Sequence, residues 1–177
     1  PGTIHTAAEE MTAAGGRALA VKTDIRFEDQ VEAAIQAGVE EFGGIDIVVN
    51  NASAISLTGT LQTPMKTYDR MYDINARGSY VVTQKALPYL LEAENPHVLN
   101  LSPPLNLDPK WFAEFAAYTL AKYAMSVWVL GMSAEFAKNG VAFNALWPRT
   151  TIATAAVRNL LGGEKMINAS RQPEIMG

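Results

Sequence analysis

Apolar and polar positions along this chain switch repeatedly between two periods, and the switches mark out an alternation of helices and strands. Ile4, Ala7, Ala8 and Met11 recur at the spacing of one helix face, which predicts a helix over Thr3–Ala14 stopped by Gly15-Gly16. Ala18-Leu19-Ala20-Val21 then reads as a short buried strand ending near Asp24. Glu28–Phe42 is helical again, with Val31, Ala34, Ile35 and Phe42 on one side and Gly43-Gly44 closing it. Ile45-Asp46-Ile47-Val48-Val49 is the clearest strand, β-branched and almost continuously apolar, as suits a parallel strand covered on both faces.

A loop follows from Asn50 to Thr63, and Pro64 suits a first helical residue. Helical patterning runs from there to about Glu94, with a break expected near Asn75–Gly78. Further on, His97–Leu101 predicts a strand, Trp111–Lys138 a long helix, Val141–Leu146 a strand and Thr151–Leu161 a last helix. Such regular alternation predicts an α/β fold with a parallel sheet and right-handed crossovers. No internal repeat, low-complexity tract or interdomain linker interrupts it, and 177 residues suffice for one domain with a sizeable core.

Composition narrows the function. Apolar residues make up 49% and charged residues 18%, the balance of a packed globular chain. A net charge of −4 without any basic cluster argues against nucleic-acid binding. The absence of cysteine excludes thiol catalysis, disulfides and cysteine-ligated zinc within these residues, and His5 and His97 have no ligand-like spacing, so no metal is expected. No apolar run reaches membrane-spanning length and the start has no signal-peptide character, so a cytoplasmic location is expected, with a peroxisomal or mitochondrial matrix as the eukaryotic variant.

Candidate chemistry centres on Tyr118 and Lys122, four residues apart and therefore on one helix face. An ammonium beside a phenol favours the phenolate, which would lower the tyrosine pKa toward the range of efficient proton transfer. Alone, such a pair is equally a surface aromatic and a surface lysine. Its neighbours change that balance. Ser102 directly follows a strand, where open α/β sheets bind ligands, and its hydroxyl could donate to an oxygen gaining negative charge. Asn50-Asn51-Ala52 occupies the same end of the preceding strand, where amide side chains could cross-link strands or support a cofactor ring.

In this order, Asn50-Asn51-Ala52, Asn75, Ser102 and Tyr118-Thr119-Leu120-Ala121-Lys122 resemble the active-site half of the short-chain dehydrogenase/reductase family. The stretches Asn50–Leu57, Leu101–Leu107 and Asn144–Pro148 look like its hydroxysteroid-dehydrogenase-like protein 2 subfamily, and the likeness extends from Pro1 to about Gly163. The resemblance implies a Rossmann-like doubly wound parallel sheet forming a single domain over residues 1–177, incomplete at the N-terminus and at the C-terminus. It implies Tyr118 as general acid/base, Lys122 lowering its pKa and holding the nicotinamide ribose, Ser102 positioning the substrate oxygen, and Asn75 holding a water in a proton relay. For the cofactor it implies Asp24 near the adenine, Asn50 and Ala52 lining the site, and Pro148, Ile152 and Thr154 around the carboxamide.

Ser53 stands where the family usually has glycine, and Arg149 follows Pro148 where glycine is usual. Nothing resembles the glycine-rich phosphate loop, since Gly15-Gly16, Gly43-Gly44 and Gly162-Gly163 are isolated pairs. The expected cofactor is NAD or NADP, NADP slightly favoured. The expected function is the nicotinamide-dependent interconversion of a carbonyl and a secondary alcohol on a small, apolar substrate of fatty-acyl, lipid or steroid-like kind. Ala155, Ala156, Val157, Leu160 and Leu161 would then form a lid, with Trp111, Phe112 and Trp147 nearby. A non-catalytic dinucleotide-binding or interaction module is the alternative. Family members commonly pair through the helices matching Met65–Glu92 and Trp111–Lys138, so a homodimer or homotetramer is expected. The family's strand order would leave two strands preceding Pro1 between Ala18–Asp24 and Ile45–Val49. These residues alone are therefore expected neither to fold stably nor to bind NAD or NADP.

Overall fold

The computed structural model describes residues 2–176. A three-stranded parallel sheet forms from β1 (Ile47–Asn50), β2 (His97–Leu101) and β3 (Ala142–Leu146), in that order. Val48 lies beside Val98 and Val98 beside Phe143, so one apolar row crosses the sheet. That row packs against α4 (Ser79–Leu90) and α5 (Ala116–Glu135), whose Ala86, Leu87, Leu90, Val129 and Met132 complete the main core. Helix α2 (Glu28–Phe42) lies on α4, tied by Lys85 Nζ to Glu28 at 2.8 Å and by the Tyr89 hydroxyl, which donates to Gln36 at 3.2 Å.

Alternation along β1 is strict: Val48 and Asn50 are buried, while Ile47 is 62% and Val49 54% exposed. Only one face of this strand is covered among the described residues, contrary to the expectation from its apolar run. Helix α1 (Ile4–Ala13), capped reciprocally by Thr3 and Thr6, buries none of its residues. Ala18–Asp24 joins no ladder among the described residues, because no neighbouring strand presents donors and acceptors to it.

The expected break near Asn75 is instead a continuous wide turn. Helix α3 (Met65–Met71), entered through Pro64 just outside it, runs into a π-helical turn at Tyr72–Gly78 and on into α4. Gly78 is required there, since a Cβ would stand 2.7 Å from Ile25 Cγ1 and 2.9 Å from the Asp73 carbonyl oxygen. Helix α5 starts at Ala116 rather than Trp111, which belongs to a short turn at Pro109–Trp111. Beyond β3, the expected single helix is α6 (Ala155–Val157), a π turn at Arg158–Gly162 and α7 (Gly163–Ala169), folded back by a bridge between Ile152 and Arg171. No described helix is long and apolar enough to cross a membrane.

Candidate functional site

Loops leaving the carboxyl ends of the strands and the first turns of α5 converge on one apolar cavity of ≈ 280 Å³. Pro103 and Pro104 wall it from β2, Tyr118 and Lys122 from α5, and Trp147 from β3, with Trp111 closing one side. Tyr118 and Lys122 therefore share one site, as their spacing predicts, and both tryptophans singled out in the sequence line it. Phe112 packs behind, tilted on Tyr123 with ring centroids 4.8 Å apart.

Electrostatics at this pair run opposite to the expectation. Burial raises the Tyr118 phenol above its usual pKa of 10.0, with no countering contribution from Lys122. Burial also lowers Lys122 to about 8, because the ammonium has left water; among the described residues Nζ donates only to the Leu101 carbonyl, at 2.6 Å. Helical spacing put the two groups on one face; the depth of that face decides the direction of both shifts.

Ser102 is 1% exposed, and its Oγ has no hydrogen-bond partner among the described residues. Ser79 Oγ and Trp128 Nε1 share that condition but sit on helices, whereas Ser102 lies at the carboxyl end of β2, one residue from the cavity wall at Pro103. A buried hydroxyl left unpaired is costly, so it fits a ligand oxygen at this point. Asn75 is fully buried and clamps a backbone unit: its Oδ1 accepts from the Ala54 N–H and its Nδ2 donates to the Ala54 carbonyl, both at 2.8 Å. Neither Ser102 nor Asn75 lines the cavity itself.

Asn50 cross-links the structure. Its Nδ2 donates to Asn100 Oδ1 at 2.8 Å and to Thr83 Oγ1 at 2.9 Å, and Asn100 Nδ2 donates onward to the Met125 carbonyl at 3.2 Å. Asn100 and Thr83 escaped the sequence reading, though each is a polar residue at an inward position of an apolar element. Asp24 and Ala52 meet in a second cleft of ≈ 620 Å³, together with Ile25, Arg26, Arg70, Ile74 and Leu160. Arg26 forks onto Asp24, its Nε 2.9 Å from Oδ1, and holds that carboxyl below the ordinary aspartate range. Asn50 does not line this cleft, and its amide is committed to Thr83 and Asn100.

Pro148, Ile152 and Thr154 line neither cavity. Ile152 pairs with Arg171, and the Thr154 Oγ1 accepts from the Val157 N–H at 3.3 Å to start α6. The expected lid does not cover the apolar cavity: Val157 is buried, and Leu160 turns to the cleft of Asp24. Asp24 and Ala52 both line this cleft, and no glycine among the described residues does. No group of three or more His, Asp or Glu is placed to hold a metal among the described residues.

The short chain dehydrogenase family profile matches residues 1–164. The chain is 57% identical to hydroxysteroid dehydrogenase-like protein 2 of Danio rerio over 99% of its own length, but spans 42% of that relative. A protein of known structure from Xanthomonas campestris is 59% identical, with a TM-score of 0.95 over 99% of this chain and 64% of that one. A short chain dehydrogenase from Mycobacterium thermoresistibile is 51% identical, with a TM-score of 0.91 over 99% and 62%.

Proposed function

The chain belongs to the short-chain dehydrogenase family, and on that premise we propose that the intact protein is a nicotinamide-dependent oxidoreductase interconverting an apolar carbonyl compound and its secondary alcohol. The observation that carries this reading is the pairing of Tyr118 and Lys122 in one apolar cavity, with the unpartnered hydroxyl of Ser102 one residue along the chain from its wall at Pro103. NAD or NADP, when bound, supplies or accepts the hydride. Asp24 and Ala52 would hold its adenosine side and Lys122 its nicotinamide ribose.

Tyr118 moves the proton at the substrate oxygen. Its phenol, with an ordinary pKa of 10.0 that burial raises further, meets a carbonyl as an acid, and its O–H donates to the oxygen as that oxygen gains negative charge. The Ser102 hydroxyl donates to the same oxygen and so recovers the hydrogen bond it lacks. Lys122, with a pKa of about 8, still carries its charge at pH 7. Asn75 holds the loop at Ala54 and retains one further lone pair on Oδ1 and one further N–H, the capacity a relay water would use. Pro103, Pro104, Trp111 and Trp147 favour a fatty-acyl, lipid or steroid-like substrate over a charged one. Exposed apolar residues on α5, Leu120, Val127 and Leu130, support assembly as a homodimer or homotetramer.

Replacing Tyr118 by Phe keeps the ring and removes the proton donor. Turnover of long-chain ketones and 3-ketosteroids by the intact protein should fall by a factor of about 10² or more while dinucleotide affinity survives. Wild-type turnover in that variant overturns the assignment. Dinucleotide binding with no hydride transfer to any carbonyl in the panel would favour the non-catalytic binding module.

A further inference from the structure

Four side chains on one face of α5 hold the end of β2 and the loop after it that walls the apolar cavity. The Thr119 hydroxyl donates to the Trp111 carbonyl at 3.0 Å, Lys122 Nζ to the Leu101 carbonyl at 2.6 Å, the Tyr123 hydroxyl to the Asn106 carbonyl at 2.8 Å and the Ser126 hydroxyl to the Pro103 carbonyl at 2.6 Å. Their spacing of three, four and seven residues from Thr119 puts all four on a single stripe. The loop needs these donors. Pro103 and Pro104 carry no N–H, so neither can join a ladder or close a turn by donation. Among the described residues, the backbone bonds of this stretch are confined to its ends, at Ser102 and in the turn around Pro109–Trp111.

Tyr123 does two things at once. Its ring lines the cavity and packs on Phe112, while its hydroxyl reaches past the ring to the exposed Asn106, so the aromatic wall and the loop backbone are fixed by one rigid side chain. Ser126, buried one turn further along, fixes the backbone at the start of the proline pair. Neither residue needs to touch the reacting oxygen.

We propose that Tyr123 and Ser126 are positioning residues that set the width of the substrate cavity, and hence its selectivity among apolar carbonyl compounds, by holding loop 103–111 against α5. The proposal rests on the assignment of this cavity to substrate. With the loop held, a long apolar chain meets the Pro103, Pro104, Trp111 and Trp147 wall along its length. Once the loop is released, the contacts with Pro103, Pro104 and Trp111 are lost, while a short ligand that reaches no further than Tyr118 loses little.

The test uses the intact protein, its Tyr123→Phe variant and, as an independent cut at the same clamp, Ser126→Ala. Binding of 2-dodecanone and 2-butanone is followed by quenching of tryptophan fluorescence, since Trp111 and Trp147 line the cavity, and amide hydrogen exchange is followed over residues 105–112. Each variant is expected to lower the preference for the longer ketone at least fivefold and to speed loop exchange at least tenfold, while exchange in β1–β3 stays at the wild-type rate. Unchanged preference with unchanged exchange overturns the proposal. Faster loop exchange with the preference intact also overturns it, because the clamp would then be structural only. Absence of ketone binding in the wild type, with faster loop exchange in the variants, overturns the substrate assignment and leaves the clamp itself standing.

Discussion

Asn75→Ala isolates the amide that joins the π turn to the loop after β1. The truncation removes the acceptor of the Ala54 N–H and the donor to the Ala54 carbonyl, two bonds of 2.8 Å in a place where Asn75 is 0% and Ala54 6% exposed. Each stranded buried backbone group costs about 1–3 kcal/mol, so the variant should lose roughly 2–6 kcal/mol. Asn75→Asp sharpens the test. One oxygen can still accept from the Ala54 N–H, but the other faces the Ala54 carbonyl and needs a proton to do so favourably. Burial and that carbonyl raise the folded pKa above the unfolded value of about 3.9. A folded pKa above the unfolded one makes the contribution fully present below the unfolded pKa and lost as pH rises through the folded one. Relative to wild type, the Asp variant should therefore gain stability on acidification from pH 8 to 5, whereas the Ala variant should show a constant offset. Urea unfolding of the intact protein at the two pH values measures both. A loss under 1 kcal/mol for Ala (the low end for one stranded group), or a pH-independent offset for Asp, would refute the reasoning.

Lys122 gives a second titration. Its folded pKa of about 8 lies below the ordinary lysine value of 10.5, so the folded protein binds fewer protons than the unfolded chain between those values, and stability should rise with pH across that window. Lys122→Met should abolish the rise, which thermal unfolding at pH 8 and pH 10 will show. Leu130, 64% exposed on α5, lies on the face expected to meet a second copy. Leu130→Asp should shift the intact protein toward monomer by light scattering at micromolar concentration while its circular dichroism stays native, and an unchanged mass would remove α5 from the interface.

The three strands were legible because largely apolar runs end at Asn50, Ser102 and Pro148, and helical spacing put Tyr118 and Lys122 on one face, while the residues upstream of the pair marked that face as a site. What could not be read depended on partners or depth. Ala18–Val21 has the composition of a strand, yet a ladder is a property of two segments, and none among the described residues lies beside this one. The start of α5 was hidden because Phe115, just before it, offers no capping side chain and the apolar spacing continues through Trp111. Pairing told that Lys122 is near Tyr118, but only the packing around α5 reveals that burial dominates both pKa values. The clamp had a signal that went unread: Thr119, Tyr123 and Ser126 are polar groups at three- and four-residue intervals around Lys122 on an otherwise apolar helix.

The bonded chain from Thr83 through Asn50 and Asn100 to Met125 has a consequence for assembly of the fold itself. It couples α4, β1, β2 and α5 at the ends of the strands from which both site loops depart. Sliding β1 by one residue against β2 would replace Asn50 by Val49 or Asn51 opposite Asn100, reverse the two faces of the strand and strand two buried amides, a penalty of about 2–6 kcal/mol. The same slip would carry Ala52 roughly 3.3 Å along the strand axis away from Ser102. Folding intermediates with misaligned strands are thus destabilised by the very amides that fix the register of the strand ends from which the site loops depart, so an error in pairing and an error in the placement of those loops are removed in one step.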